Sequence, residues 1–177
     1  MIFSLIAMMA SAPVSVPDCP IDKAVYRLNG APQFTAGFLR QDRRKVMASD
    51  LVFWLKTPKR TWFFAFSSPN GYGGTYISPD IDPRLAARMD DDEEHDATAR
   101  AKGDEPPFIP FDAFGPDLKA YESPPMSNMP APARLFARGL GPSLWYESVT
   151  LAGNDPAAEP ESMPIGMFEP AGCGGGL

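Results

Sequence analysis

Residues 51–66, LVFWLKTPKRTWFFAF, contain two short runs rich in aromatic and β-branched side chains, 51–55 and 61–66, separated by residues 56–60. Apolar runs of this length on either side of a Pro-containing, basic stretch predict a β-hairpin. Both runs are apolar on both faces, which is typical of strands inside a sandwich or beneath a covering segment, because an edge strand normally alternates. We therefore expect these two strands to form the core of a β-rich domain.

The chain on either side of this hairpin also predicts short strands. Residues 24–29 and 33–40 alternate in polarity and are joined across Asn29-Gly30, a strong two-residue turn signal. Strands are further predicted at 75–78, 143–151 and 163–168, an edge strand or irregular extended piece at 108–114, and a helical turn or strand start at 133–138. The pattern predicts a mostly β, single-domain antiparallel sandwich or distorted barrel of about six to eight short strands, with long Pro-rich loops.

One short helix is expected at about 83–89, because Asp82 can cap it and Pro83 fits its first position. The acidic run 90–94 would then follow a helix C-terminus, where the helix dipole disfavours negative charge. We therefore predict an acidic mobile loop at about 90–107. Thirteen of the 21 prolines lie after residue 105, which makes long helices improbable there.

The two ends of the chain indicate an exported protein. Residues 2–10 are apolar and are followed by the small-residue pattern Ala10-Ser11-Ala12, which predicts a signal peptide at 1–12; a native first strand or helix is the alternative. The apolar run is too short to span a bilayer, so no transmembrane span is expected after cleavage. Residues 13–177 would then form the mature domain, frayed at 174–177, in a periplasmic or secreted location.

The chain contains two cysteines, Cys19 and Cys173, near the ends of the mature domain. In an oxidising compartment two cysteines in a domain of this size usually pair, whereas two unrelated buried thiols are the alternative. A bridge would close 173 − 19 = 154 residues. If the last apolar segment returns as a strand, the bridge would join the end of the sheet to the chain's entry into the fold.

Charge argues against nucleic acid as a partner. Residues 1–79 hold nine Lys/Arg and four Asp/Glu (+5), whereas residues 80–177 hold seven and eighteen (−11). Phosphate binding requires a basic face, which the overall charge of −6 does not favour.

No segment matches a catalytic or metal-binding motif well enough to name a reaction. His95, the only histidine, lies in the acidic run, where it would be solvated; the EF-hand spacing from Asp90 places His95 and Ala101 where glycine and glutamate are required. We expect no metal and no cofactor. A small carboxylate-dependent glycan hydrolase is an alternative, with candidate acids Asp50, Asp112, Asp117, Glu122 and Glu147.

Aromatic residues near the glycine-rich loop 68–74 are the main candidates for binding. Tyr72 lies in the loop, Tyr76 follows it, and Trp54 and Trp62 are close in sequence. Exposed aromatic rings on a β-scaffold stack on sugars or on a partner peptide, although Trp54 and Trp62 on strands are more typical of a core. The preferred expectation is a non-catalytic exported protein that binds an unidentified ligand or envelope partner; a purely structural envelope protein is the third possibility.

Overall fold

The structure is a computed structural model that describes residues 19–41, 48–68, 74–102, 107–174 and 177. In these residues eight antiparallel strands form a closed barrel in which each strand pairs with its neighbours in sequence and the last pairs with the first. The strands are β1 (Ala24–Leu28), β2 (Ala31–Arg40), β3 (Leu51–Lys56), β4 (Thr61–Ser67), β5 (Thr75–Asp80), β6 (Ile109–Phe114), β7 (Arg134–Ala137) and β8 (Phe168–Cys173). The mostly β, antiparallel fold is thereby confirmed in its barrel form.

Among the described residues, four α-helices accompany the barrel, α1 (Pro83–Ala86), α2 (Asp91–Lys102), α3 (Leu140–Tyr146) and α4 (Ser148–Leu151), and a 3-10 turn, Ile21–Lys23, precedes β1. In the described part of the chain, no helix is long and apolar enough to cross a membrane. The predicted signal peptide 1–12, residue Tyr72, and residues 175 and 176 of the predicted frayed end lie outside the described residues.

Both predicted hairpins are confirmed. β1 and β2 are joined by Asn29-Gly30, and Gly30 has φ +76°, a left-handed conformation that favours glycine. β3 and β4 pair in register, with Phe53 opposite Phe64. Local turn chemistry and apolar runs therefore specify the first half of the barrel.

The barrel interior is filled by aromatic side chains. Phe38, Phe53, Phe111 and Phe66, from β2, β3, β6 and β4, form a closed ring of contacts across it. Their successive centroid separations are 6.0, 5.1, 5.2 and 6.2 Å. The inside of an eight-stranded barrel is just wide enough for side chains to fill, so these rings make it a packed core.

The outward face of β3 is also buried, which explains why that strand is apolar throughout. Phe53 and Leu55 point inward, so Trp54 between them points outward. Trp54 pairs with Gly37 of β2, and a Cβ atom at residue 37 would lie 2.6 Å from Cζ2 of Trp54. The indole ring therefore occupies the space that the missing side chain leaves, and Trp54 is only 1% exposed.

The predicted disulfide is confirmed. Cys19 is bonded to Cys173, with their Cα atoms 5.8 Å apart. Cys173 is the last residue of β8, where it pairs with Ala24 of β1. The bridge joins the end of the final strand to the residues that lead into the first one.

The prediction of a loop at 90–107 is wrong for residues 91–102, which form helix α2. The acidic run follows α1, which begins with the Asp82 cap as predicted but ends at Ala86. The acids instead open a new helix: the backbone N–H of Glu93 donates to Asp90 Oδ1 at 2.9 Å, and that of Asp90 to Glu93 Oε2 at 3.4 Å. This is a capping box, and at a helix N-terminus the dipole stabilises negative charge.

The prediction of a strand at 143–151 is also wrong, because α3 and α4 occupy this segment. Leu140 and Leu144 are buried one helical turn apart, and Leu151 continues the buried surface in α4. Pro142 lies in the first turn of α3, where the missing N–H has no intrahelical partner to lose.

Two strands differ from the prediction in position or pairing. The last strand begins at Phe168, where the predicted segment 163–168 ends. β6 is not an edge strand, since it pairs with β5 on one side and β7 on the other. Proline has no backbone N–H to donate, and Pro110 is tolerated because it lies beyond the end of β7. Only its carbonyl oxygen is used there, and it accepts a hydrogen bond from the N–H of Arg138 at 3.2 Å. Residues 134–137 are strand β7, one of the two alternatives for that segment.

Candidate functional site

The structure separates the four candidate aromatics. Trp54 and Trp62 are 1% and 5% exposed, so their rings belong to the buried part of the protein. Tyr76 is half-buried on β5, and its neighbour Ile77 points into the barrel, so Tyr76 points outward. Tyr72 lies outside the described residues. Of the candidate aromatics that are described, Tyr76 alone is partly accessible.

Trp62 takes part in a polar cluster around the buried carboxylate of Glu161. Glu161 Oε1 accepts hydrogen bonds from Thr57 Oγ1 at 2.7 Å and from the Trp62 indole Nε1 at 3.3 Å. The guanidinium of Arg60 lies 5.0 Å from the centroid of the Trp62 ring and pairs with Asp155 at 3.5 Å. These contacts fasten the β3–β4 turn to residues 155–161, so the cluster has a structural role.

Replacing Glu161 with alanine is expected to destabilise the protein by about 2 kcal/mol, because the buried Trp62 N–H loses its acceptor. Thr57 retains the Arg60 carbonyl as an alternative acceptor at 2.9 Å. Glu161→Gln keeps a side-chain oxygen acceptor and should cost less than half as much. Chemical denaturation of the two variants measures the difference, and equal losses would show that the hydrogen bond to Trp62 is not what stabilises this site.

A second aromatic surface lies on the outside of β5, β6 and β7. Tyr76 is directly opposite Pro110, and Phe136 is opposite Asp112. Phe114 is the last residue of β6, and Phe108, just before that strand, is 61% exposed. We call these five residues, Tyr76, Phe108, Pro110, Phe114 and Phe136, the outer wall. Because residues opposite one another in an antiparallel pair share a face, Tyr76, Pro110 and Phe136 lie on one outward surface across three strands, with Asp112 among them.

The charged side chains on and beside the outer wall are paired. Arg138 lies 3.7 Å from Asp112, and Arg134 lies 3.7 Å from Glu169. Both pairs are partly exposed, and each joins one positive to one negative group. The wall itself therefore carries no net charge from these four residues.

Comparison of the chain with protein-family models, curated protein sequences and solved structures finds no match. Function must therefore be inferred from the surfaces and side chains of the chain itself.

The surroundings of Asp50, one of the candidate hydrolase acids, favour its ionised form. Partial burial raises the pKa of Asp50, but hydrogen bonds from the Ser127 hydroxyl and backbone N–H, with the charge of Arg40, bring that pKa below its usual value. A general acid requires the opposite shift. Asp112 and Asp117 are paired with Arg138 and Lys119. The remaining two candidates, Glu122 and Glu147, are exposed.

The described residues contain no group of three or more His, Cys, Asp or Glu side chains that could hold a metal ion. His95 is exposed on α2.

Sequence reasoning missed most of the outer wall. The alternation of residues 108–114 was visible in the sequence and places Phe108, Pro110 and Phe114 on one face. Phe136 lies in a four-residue strand that local pattern does not distinguish from a helical turn. Trp145 and Tyr146 on α3 are a further pair of exposed aromatic residues, 49% and 82% exposed. They lie in the segment 143–151, for which the sequence predicts a strand.

Proposed function

We propose that this protein is an exported, non-catalytic binding protein that engages a partner through the outer wall. The observation that carries the proposal is that one face of three adjacent strands carries several partly exposed apolar side chains, with the exposed Phe108 just before β6. Contiguous exposed apolar surface on a soluble domain is typical of an interaction site. The interior of the barrel supports this assignment. Because four phenylalanine side chains fill it, we expect a ligand to bind on the outside of the fold.

Export is proposed from two independent features. The Cys19–Cys173 disulfide is typical of proteins that fold in an oxidising compartment. The apolar start of the chain with its small-residue pattern at 10–12 resembles a cleaved signal peptide. Together they support a periplasmic or secreted location.

Site-specific photocrosslinking tests the proposed surface. A photoreactive phenylalanine analogue in place of Phe108 is expected to give a discrete adduct in the exported fraction of the producing cells. The matched control replaces Gln33, which is also exposed but points outward from β2, on the opposite side of the barrel. No adduct is expected from that position.

Competition makes the test specific to the outer wall. Excess unlabelled wild-type protein should abolish the adduct, whereas a Phe136→Ser variant should not, and its melting temperature should stay within a few degrees because Phe136 is only partly buried. Equal adducts from positions 33 and 108, or full competition by the Phe136→Ser variant, would refute the proposed binding surface.

A further inference from the structure

We infer that the outer wall recognises a cationic polypeptide segment that carries apolar side chains; this inference rests on the proposed function. Helix α2 packs against β5, the strand that carries Tyr76. Ser78 and Asp80 point to the same face of β5 as Tyr76 and are buried. The outer wall is therefore exposed beside α2 along the same strand.

Helix α2 and its cap are negatively charged. Residues 90–102 contain six Asp/Glu and two Lys/Arg, so their net charge is 2 − 6 = −4. Asp91, Asp92 and Asp96 are exposed to solvent. The two ion pairs on and beside the wall cancel, whereas α2 keeps a net negative charge that attracts a cationic partner.

A segment with both apolar and cationic side chains fits the wall and the charge of α2. Leu, Ile or Phe side chains of a partner would cover the phenylalanine and proline surfaces of the wall. Lys or Arg side chains have apolar stems that pack on such surfaces while their charged ends reach nearby carboxylates. A cation can also stack on Tyr76 or Phe136. The acidic side chains of α2 would instead repel an acidic partner, so α2 disfavours binding of such a partner to the wall.

Two synthetic dodecapeptides test the charge of the partner. One alternates Lys with Phe and Leu, and the other has Glu in place of every Lys. Nuclear magnetic resonance titration of the full domain with each peptide gives both the affinity and the residues contacted. We expect the Lys peptide to shift the amide signals of β5–β7 and α2, and to bind about tenfold more tightly than the Glu peptide.

Matched variants locate the origin of the preference. Asp91→Asn, Asp92→Asn and Asp96→Asn together should weaken binding of the Lys peptide several-fold while leaving the Asp90–Glu93 cap of the helix intact. The control neutralises two acids in the β6–β7 connection, Asp117→Asn and Glu122→Gln, and should leave the affinity unchanged. Carbon chemical shifts verify that α2 remains helical in the first variant.

The outcomes separate this inference from the proposed function. Equal binding of the two peptides, binding of neither, or no effect of neutralising α2 overturns the cationic partner. If the peptides bind equally, or neutralising α2 has no effect, and Phe136→Ser abolishes that binding, the outer wall remains a binding surface and only the partner's charge is wrong. If neutralising α2 weakens binding but Phe136→Ser does not, the peptide binds away from the wall and the inference fails together with the surface it rests on.

Discussion

Replacing Cys19 and Cys173 together by serine is expected to lower the free energy of unfolding by about 4 kcal/mol. The bond closes a loop with a sequence separation of 154 residues, one of the longest the chain allows, and the entropy of that closure sets an upper figure of about 5 kcal/mol. For a domain of this size the loss should lower the melting temperature by roughly 10 °C. Thermal unfolding of the oxidised wild type and of the double variant measures the difference.

Reduction provides the matching control. Wild-type protein in dithiothreitol should approach the stability of the double serine variant, and the variant itself should not respond to the reductant. A loss below about 1 kcal/mol would show that the paired β1 and β8 strands hold the two ends together without the bond. The result therefore reports whether the barrel closes by its own strand pairing.

The parts of the fold that the sequence predicts correctly depend on local signals. Asn29-Gly30 favours a tight turn. The two apolar runs within 51–66 are joined by a connection so short that antiparallel pairing with each other is favoured. The disulfide follows from the number and position of the cysteines. Each of these inferences needs only a few neighbouring residues.

The wrong predictions arise where one local sequence pattern is compatible with two different secondary structures. Residues 143–151 contain aromatic and β-branched side chains typical of a strand, and the helical spacing of Leu140 and Leu144 is seen only when the window is extended. The acids at 90–94 are unfavourable at the end of α1 and favourable at the start of α2, so the outcome depends on where one helix ends. A short window does not contain that information.

The candidate site required information that no local pattern holds. Trp54 and Tyr76 are both aromatic residues on strands, and both side chains point out of the barrel. Trp54 is nevertheless buried over Gly37, whereas Tyr76 is partly exposed. The difference lies in what covers each face. The outer wall likewise depends on the register of three strands, because Tyr76, Pro110 and Phe136 become neighbours only through pairing.

Phe53→Ala is expected to destabilise the barrel by about 4 kcal/mol, close to the effect of removing the disulfide. The side chain is fully buried and contacts Phe38, Phe64 and Phe111 at centroid distances of 6.0, 6.1 and 5.1 Å. Removing it takes away the transfer free energy of one phenyl ring and leaves a cavity between rigid strands that cannot collapse to fill it. Urea denaturation measures the loss; Phe108→Ala, at an exposed position, should change stability by no more than about 0.5 kcal/mol.

The pairing of Phe53 with Phe111 gives the sharper test of the interior. Their rings are arranged edge to face, and a double-mutant cycle with Phe111→Leu and Phe53→Leu should show a coupling of about 1 kcal/mol beyond the loss of buried area. A coupling near zero would mean that the two rings contribute only as separate hydrophobic groups. β3 and β6 are not paired with each other, and the two rings are in direct contact, so a measured coupling would support a core in which the four phenylalanines join non-adjacent strands.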